Sequence, residues 1–485
     1  MAVKRYTADA DTTITNAYKE NLSTRATGAN MGASDSLEVF SIWGQISSSA
    51  DGPAVEKSRA LLKFPISTIN TDRTNGDVPV AGSVNFYLKL SNARHPNTLP
   101  SEYTLSILPV SESWSEGNGL DMETYTDSGS ASWLNATTSS LWGNGTAQYQ
   151  GGVYHTGSSN TSVNYAVAFG DGDEDLEVDV TTLVEQWIAG TKSNYGIGIM
   201  MSGAFEDGTL SGSYYTKKFF ARGSEFFFKK PLLEARWNSS KKDDRSNFYA
   251  SSVMVPSADN LNTLTLYNWT RGQLKNIPNL HASNTLAVKL YRSALTDDTP
   301  LQVTGGLTPD TGIYTASFAM DTTASYVYDV WCTGSGGSLV EFHTGSAISV
   351  KSFRAMAENP NPSYVTSMVD LKPSYSKKET GRFRLFIRKQ NWSPTIYTKA
   401  TKTLDSEIID SAFYRVFRVS DELEVIPYGT GSTNHTKLSY DQSGSYFDLD
   451  MGLLEADFAY GLSFAYHLNG KYVEQPETFK FRVEE

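Results

Sequence analysis

Tyr103-Thr104-Leu105-Ser106-Ile107-Leu108-Pro109-Val110 sets a large apolar side chain at every second position from Tyr103 to Ile107. That spacing matches the two-residue repeat of a half-buried strand and not the 3.6-residue repeat of a helix. Upstream, Val84-Asn85-Phe86-Tyr87-Leu88-Lys89-Leu90 alternates in part, and Leu61, Phe64 and Ile66 follow a loop rich in Ser and Gly; both read as further short strands. Downstream, Asp127 to Gly172 is rich in Ser, Asn, Gly and Thr and is interrupted by Trp133, Trp142, Tyr149 and Tyr154. This composition predicts a long loop system with aromatic anchors. Across the chain, 27 Tyr, 23 Phe and 38 Gly against only 19% charged residues favour all-β structure over surface helices. With 485 residues the chain is too long for one core and predicts several domains.

One helix is predicted among the strands. Thr182-Leu183-Val184-Glu185 fits a capping box, Leu183, Val184, Trp187 and Ile188 share one face, and Gly190 follows as a terminator. It should close one end of a sandwich.

The polar, charged stretch Asn238-Ser239-Ser240-Lys241-Lys242-Asp243-Asp244-Arg245-Ser246 reads as a linker. Beyond it the sequence repeats weakly. Gly312-Ile313-Tyr314 recurs as Gly444-Ser445-Tyr446, Tyr326 and Tyr328 recur as Phe458 and Tyr460, and Leu290-Tyr291-Arg292 corresponds to Val416-Phe417-Arg418. A repeat of this length predicts tandem immunoglobulin-like sandwiches that meet near Ala357-Glu358-Asn359-Pro360. The expected fold is all-β: a jelly-roll-like β-sandwich over residues 1–240, then immunoglobulin-like sandwiches over 241–357 and 358–485.

Four patches, Ala8-Asp9-Ala10-Asp11-Thr12-Thr13-Ile14, Arg59-Ala60-Leu61-Leu62-Lys63-Phe64, Trp114-Ser115-Glu116-Gly117-Asn118-Gly119 and Val178 to Trp187, come in an order that resembles the DNRLRE-type β-sandwich domain. Asn194-Tyr195-Gly196 and Pro231 to Trp237 extend the resemblance, which covers roughly residues 8 to 237. That family occurs on bacterial surface proteins, carbohydrate-binding modules and phage particles, so the resemblance implies binding and assembly rather than catalysis. A second resemblance is carried by Arg382 to Arg388, Asn391 to Tyr397, Tyr414 to Arg418, Ile426 to Gly431 and Tyr446 to Met451. Over about residues 360 to 485 these are similar to the C-terminal region of uncharacterised virion structural proteins of tailed phages, particularly those of marine bacteria.

Glu112 and Glu116 flank Trp114 and could form a glycosidase pair, which needs two carboxyls across a sugar bond; the resemblance to the DNRLRE-type domain implies instead that Trp114 and Glu116-Gly117 belong to a structural turn. Asp171-Gly172-Asp173-Glu174-Asp175 begins like a calcium loop, but Leu176 and Thr182 stand where an EF-hand needs Gly and Glu; a calcium site of a different loop type is left open, and the alternative is a merely solvated acidic loop. Trp43, Trp133, Trp142 and Tyr149 could stack on sugar faces or could pin the loops, and pinning is the favoured reading. Cys332, in a strand-like context, reads as a small buried apolar residue. The six histidines are dispersed, and no zinc, Walker A, dinucleotide or Gly-x-Ser-x-Gly signature occurs. No residue is assigned a catalytic, cofactor-binding or metal-binding role, and no enzyme activity or cofactor is expected.

A net charge of −12 disfavours nucleic acid as a partner. No window reaches the roughly 18 apolar residues of a membrane span, and the start of the chain lacks the apolar stretch of an export signal. A lone cysteine excludes an internal disulfide. The expected function is therefore structural: a virion protein assembled in the host bacterial cytoplasm and placed in multiple copies on the tail, neck or capsid exterior. Its expected partners are other virion proteins and further copies of itself. The alternative is a carbohydrate-binding or host-adhesion module with a surface glycan as ligand.

Overall fold

The computed structural model describes residues 2–44, 54–95, 100–127, 129–146, 149–207, 214–278, 280, 285–292, 299–308, 310–334, 338–351, 359, 361–392 and 406–485. The chain is all-β, a jelly-roll-like sandwich followed by two immunoglobulin-like sandwiches, and it divides into two compact units at Trp237 and Asn238. The expected junction at residue 357 lies outside the described residues, as does most of Asn391 to Tyr397.

The first unit contains β1 (Val3–Thr7), β2 (Ala10–Thr15), β3 (Ser36–Gly44), β4 (Ala54–Lys63), α1 (Ile66–Asn75), β5 (Asn85–Leu90) and β6 (Tyr103–Pro109). It continues with β7 (Tyr165–Phe169), β8 (Leu176–Asp179), α2 (Thr181–Ile188), β9 (Ile197–Met201), α3 (Ala204–Asp207), β10 (Tyr214–Phe220) and β11 (Leu232–Arg236). One sheet runs β1-β11-β5-β8; the other runs β10-β3-β4-β9-β6-β7, with β2 added beside β4. The alternation seen in the sequence is the packing pattern: Tyr103, Leu105 and Ile107 are buried from β6, and Phe86, Leu88 and Leu90 from β5, within one core between the sheets.

The helices depart from expectation. Leu183, Val184 and Trp187 of α2 are buried as predicted, but the helix starts at Thr181 and no capping box forms. Asp179 Oδ1 accepts from the Thr181 N–H at 2.9 Å, and Glu185 leaves the helix end to pair with Arg73 of α1 at 2.7 Å. Ile66 belongs to α1 rather than to a strand. Only Ile66 and Ile69 of that helix are buried, so its sequence carries almost no periodic signal.

The outer face of the four-stranded sheet holds an ion network. Glu234 is 2% exposed; it accepts from Arg5 Nε at 2.6 Å and from Arg236 Nε at 2.7 Å. Arg236 also grips Glu177, at 2.7 and 3.0 Å. Burial alone would raise the Glu234 pKa, but Arg5, Lys89 and Arg236 hold it well below the ordinary carboxylate range.

The second unit opens with β12 (Asn262–Tyr267), the short hairpin β13 (Trp269–Thr270) and β14 (Gln273–Leu274), β15 (Thr285–Arg292) and β16 (Leu301–Leu307). β17 (Ile313–Phe318), β18 (Tyr326–Thr333), β19 (Val340–Thr344) and β20 (Ile348–Ser349) complete this sandwich. Its strand order is β12-β17-β16-β15-β18-β19, with β20 beside β18. The last sandwich comprises β21 (Tyr364–Val369), β22 (Ser374–Ser376), β23 (Thr380–Lys389), β24 (Ala412–Arg418) and β25 (Glu424–Ile426). It ends with β26 (Ser439–Asp441), β27 (Gly444–Asp450), β28 (Ala459–Leu468), β29 (Lys471–Glu474) and β30 (Phe479–Glu484). Sheets β21-β23-β27-β26 and β22-β30-β28-β24-β25 reproduce the two-sheet immunoglobulin pattern.

The repeated motifs fall on equivalent strands, β15 and β24, β17 and β27, β18 and β28. Register corrects one pair. Arg292 faces Val327 whereas Arg418 faces Tyr460, so Val327 and not Tyr328 is the counterpart of Tyr460. A one-residue slip reverses the face: Tyr460 is fully buried, and its hydroxyl both accepts from Glu455 N and donates to Glu455 O, at 2.9 and 2.8 Å. This is the tyrosine corner of immunoglobulin-like sandwiches.

The expected linker is not a free tether. Lys242 bridges Tyr440, Asp243 N donates to Tyr440 O at 3.1 Å, and Asp243 and Asp244 are 6% and 8% exposed. Each of its acidic groups has a protein partner: Asp243 lies 3.4 Å from Arg245 Nε, and Asp244 accepts from Thr263 N and from the Tyr440 hydroxyl at 2.6 and 2.9 Å.

Candidate functional site

The patches that carry the first resemblance converge in space, and their polar groups bond one another. Trp114 Nε1 donates to Tyr195 O at 2.7 Å, and Asn194 Nδ2 donates to Phe64 O at 2.9 Å. Glu116 accepts from Asp11 N at 2.8 Å and from Arg222 Nε and Nη2 at 2.8 and 2.6 Å; Arg222 N donates back to Asp11 Oδ2 at 2.7 Å. Burial pushes the Asp11 carboxyl up to about 6, against the pull of that N–H. Fully buried Asn30 donates to Glu116 O and Ala131 O at 2.6 and 2.8 Å, and accepts from Gly32 N and Gly119 N at 3.1 and 3.0 Å. A Cβ at Gly117 or Gly119 would collide with Asn30, which explains the glycines after Glu116.

This geometry takes apart the glycosidase pair. Glu116 is held by Arg222, and Glu112 Oε2 accepts from Gly143 N at 2.9 Å, tying down the loop. The turn reading is the one that fits. Sequence reading missed Arg222, because 106 positions separate it from its carboxylate.

Two of the loop aromatics, Trp133 and Trp142, are anchors. Trp133 and Trp142 are 6% and 1% exposed, and Trp142 Nε1 donates to Ser132 O at 2.8 Å. Arg59 lies over Trp133 at 5.1 Å and over Tyr154 at 5.5 Å, and its guanidinium reaches Gly151 O at 2.6 Å and Glu206 at 2.7 and 2.9 Å. Tyr149 is partly exposed. Trp43 lies on β3, and its side chain is outside the described residues.

The acidic loop already holds a cation of its own. Lys217 of β10, fully buried, donates through Nζ to Asn92 Oδ1, Gly172 O and Glu174 O at 2.9, 2.9 and 2.6 Å. Phe169 and Phe219 flank the ammonium at 4.7 and 5.2 Å. Burial draws its pKa down to about 8, while Glu174, Asp175 and Asp173 pull it up. Glu174 in turn accepts from Gly170 N, Asp171 N and Gly172 N at 2.7 to 2.8 Å, closing the turn on itself. Nothing in the five-residue sequence signals that the charge comes from a strand 45 residues away. Among the described residues no group of His, Cys, Asp and Glu is arranged to hold a metal. Cys332 is buried on β18, and burial raises its thiol pKa. His281 is outside the described residues.

A different surface of the first unit is open. Phe226 and Phe227 are 52% and 36% exposed beside a recess of about 610 Å³, where Phe220 meets Phe226 edge to face at 5.5 Å. Asp35, Arg94, Lys218 and Glu225 line the recess with Phe220 and Phe226. Among the described residues no helix is long and apolar enough to cross a membrane.

No family model matches the chain, and no curated protein does. Among solved structures, a marsupial T cell receptor is similar at 7% identity over 50% of this chain and 71% of that one, with a TM-score of 0.17. At that score the likeness carries no argument.

Proposed function

We propose that this chain is a structural protein of a tailed-phage virion, assembled in multiple copies on the tail, neck or capsid exterior through contacts with other virion proteins and with its own copies. One observation carries the assembly part: exposed Phe226 in a recess that Asp35, Arg94, Lys218 and Glu225 also line, with exposed Phe227 next to it in the chain. Aromatic anchors inside a charged rim are the anatomy of a protein contact, and exposed rings of this size gain most from burial against a neighbour. Obligate contacts of this kind bury upwards of about 2,000 Å². The particle itself is inferred from the resemblance of residues 360 to 485 to virion proteins.

Glu112 and Glu116 and the rings of Trp133 and Trp142, which could have argued for hydrolysis or sugar binding in the first unit, are already bonded or buried, which supports assembly over chemistry there. Gold-antibody labelling of intact particles tests the reading. Regular labelling at one morphological position is expected. A protein absent from purified particles would refute it. Phe226→Ala should then weaken self-association in sedimentation without changing the fold.

A further inference from the structure

We propose that the groove between hairpin β13–β14 and edge strand β19 binds a neutral glycan chain, with Trp269 and Phe342 as the rings on which sugar faces rest. The groove has a volume of about 680 Å³, within the range of ligand sites, and Asn268, His343, Thr344 and Gln442 line it beside the two rings. This site is independent of the assembly reading.

Three observations lead to this ligand class. First, Trp269 and Phe342 are 61% and 44% exposed, two large rings of one groove left in water. A ring presents an apolar face and the surrounding side chains present hydrogen-bonding groups, which matches the apolar face and hydroxyl rim of a pyranose. Second, the backbone that carries Trp269 is held in place. Its hairpin turns at Arg271 and Gly272, both at positive φ, and Asn268 clamps the base by accepting at O from Lys275 N at 3.1 Å and donating from Nδ2 to Lys275 O at 2.7 Å. A backbone fixed before binding loses little conformational freedom on binding.

Third, the charges of the groove are internally paired. Arg245 forks onto fully buried Asp329 at 2.7 and 2.6 Å, Trp331 Nε1 donates to the same carboxylate at 2.7 Å, and Gly345 N donates to Asp329 O at 2.8 Å. Asp243 lies 3.4 Å from Arg245 Nε. With its one arginine committed to two carboxylates, the described lining offers no spare guanidinium or ammonium to a phosphate, sulfate or uronate, and the surplus carboxylate repels them. A neutral, hydroxyl-rich chain fits such a lining.

The test titrates the full-length chain with linear hexasaccharides of glucose (β-1,4, α-1,4 and β-1,3), mannose and xylose, followed by calorimetry and tryptophan fluorescence. At least one probe should bind saturably at micromolar to millimolar concentration. Trp269→Ala and Phe342→Ala should each weaken it about tenfold or more, the scale of one lost ring contact. Both side chains are exposed, so thermal unfolding should not move, and Tyr214→Ala, an exposed ring in the other unit, should leave binding intact. The proposal is overturned if no probe binds, or if both groove variants bind as tightly as the wild type. It is equally overturned if Trp269→Ala breaks up an oligomer that binds no glycan, which would make the groove a contact between copies.

Discussion

Replacing Glu234 by Gln removes one negative charge from beneath three cations without changing shape. Arg5 Nε and Arg236 Nη2 each lie 2.6 Å from the Glu234 carboxylate and Lys89 Nζ lies 3.7 Å away, with Glu234 only 2% exposed. The amide of Gln would turn an N–H₂ toward one guanidinium, and water cannot reach the site to compensate. Breaking a buried pair from one side costs about 3–5 kcal/mol. For a unit of this size each kcal/mol moves Tm by about 2–4 °C, so a drop of roughly 10 °C is expected in calorimetry of the full chain. Glu38→Gln is the control. Its pair with Lys218 spans 3.3 Å but is 46% and 31% exposed, and such pairs contribute at most about 1 kcal/mol. The sign with pH follows from the depressed pKa. The stability that Glu234 contributes is fully present above its unfolded pKa of about 4.3 and is lost as pH falls through the lower folded value, so wild type and Glu234→Gln should converge in acid. A Tm shift no larger for Glu234→Gln than for Glu38→Gln would refute the account of the network.

The Asp11 carboxyl, raised to about 6, stays protonated in the fold where the unfolded chain has already ionised. Stability should therefore fall by up to about 3 kcal/mol as pH rises from about 4 through 6, and Asp11→Asn should remove that slope; parallel urea midpoints of the two proteins across this range would sink it. Trp142→Ala should cost about 3–5 kcal/mol and open the loops around residues 129–146 to limited proteolysis, because it empties a fully packed site; an unchanged cleavage pattern would contradict the anchoring role. Tyr460→Phe leaves Glu455 N–H and C=O without their shared hydroxyl, and urea unfolding should show a loss of about 1–2 kcal/mol.

Much of the fold was legible because its signal is local. The alternation in β5 and β6, the apolar face of α2 and the matching motifs of β17 and β27 all lie within a few residues of chain, and a strand or helix reads such a pattern directly. The elements that misled have weak or ambiguous local patterns. α1 buries two isoleucines only, and Asn238 to Ser246 has the composition of a linker although Asp243 and Asp244 are buried against Tyr440 and Thr263.

The amino-acid order by itself determined an all-β chain, a jelly-roll-like sandwich ahead of two immunoglobulin-like ones, and the absence of any recognisable catalytic signature. Tertiary structure alone decided what the conspicuous residues do. Glu116 meets Arg222, the acidic turn receives Lys217, Trp142 goes inside while Trp269 stays out, and Phe342 joins Trp269 across 73 positions. Strand periodicity fixes which face a side chain takes. Which distant charge or ring meets it there depends on how whole sheets stack and register, a property of the assembled chain that no short window of sequence contains.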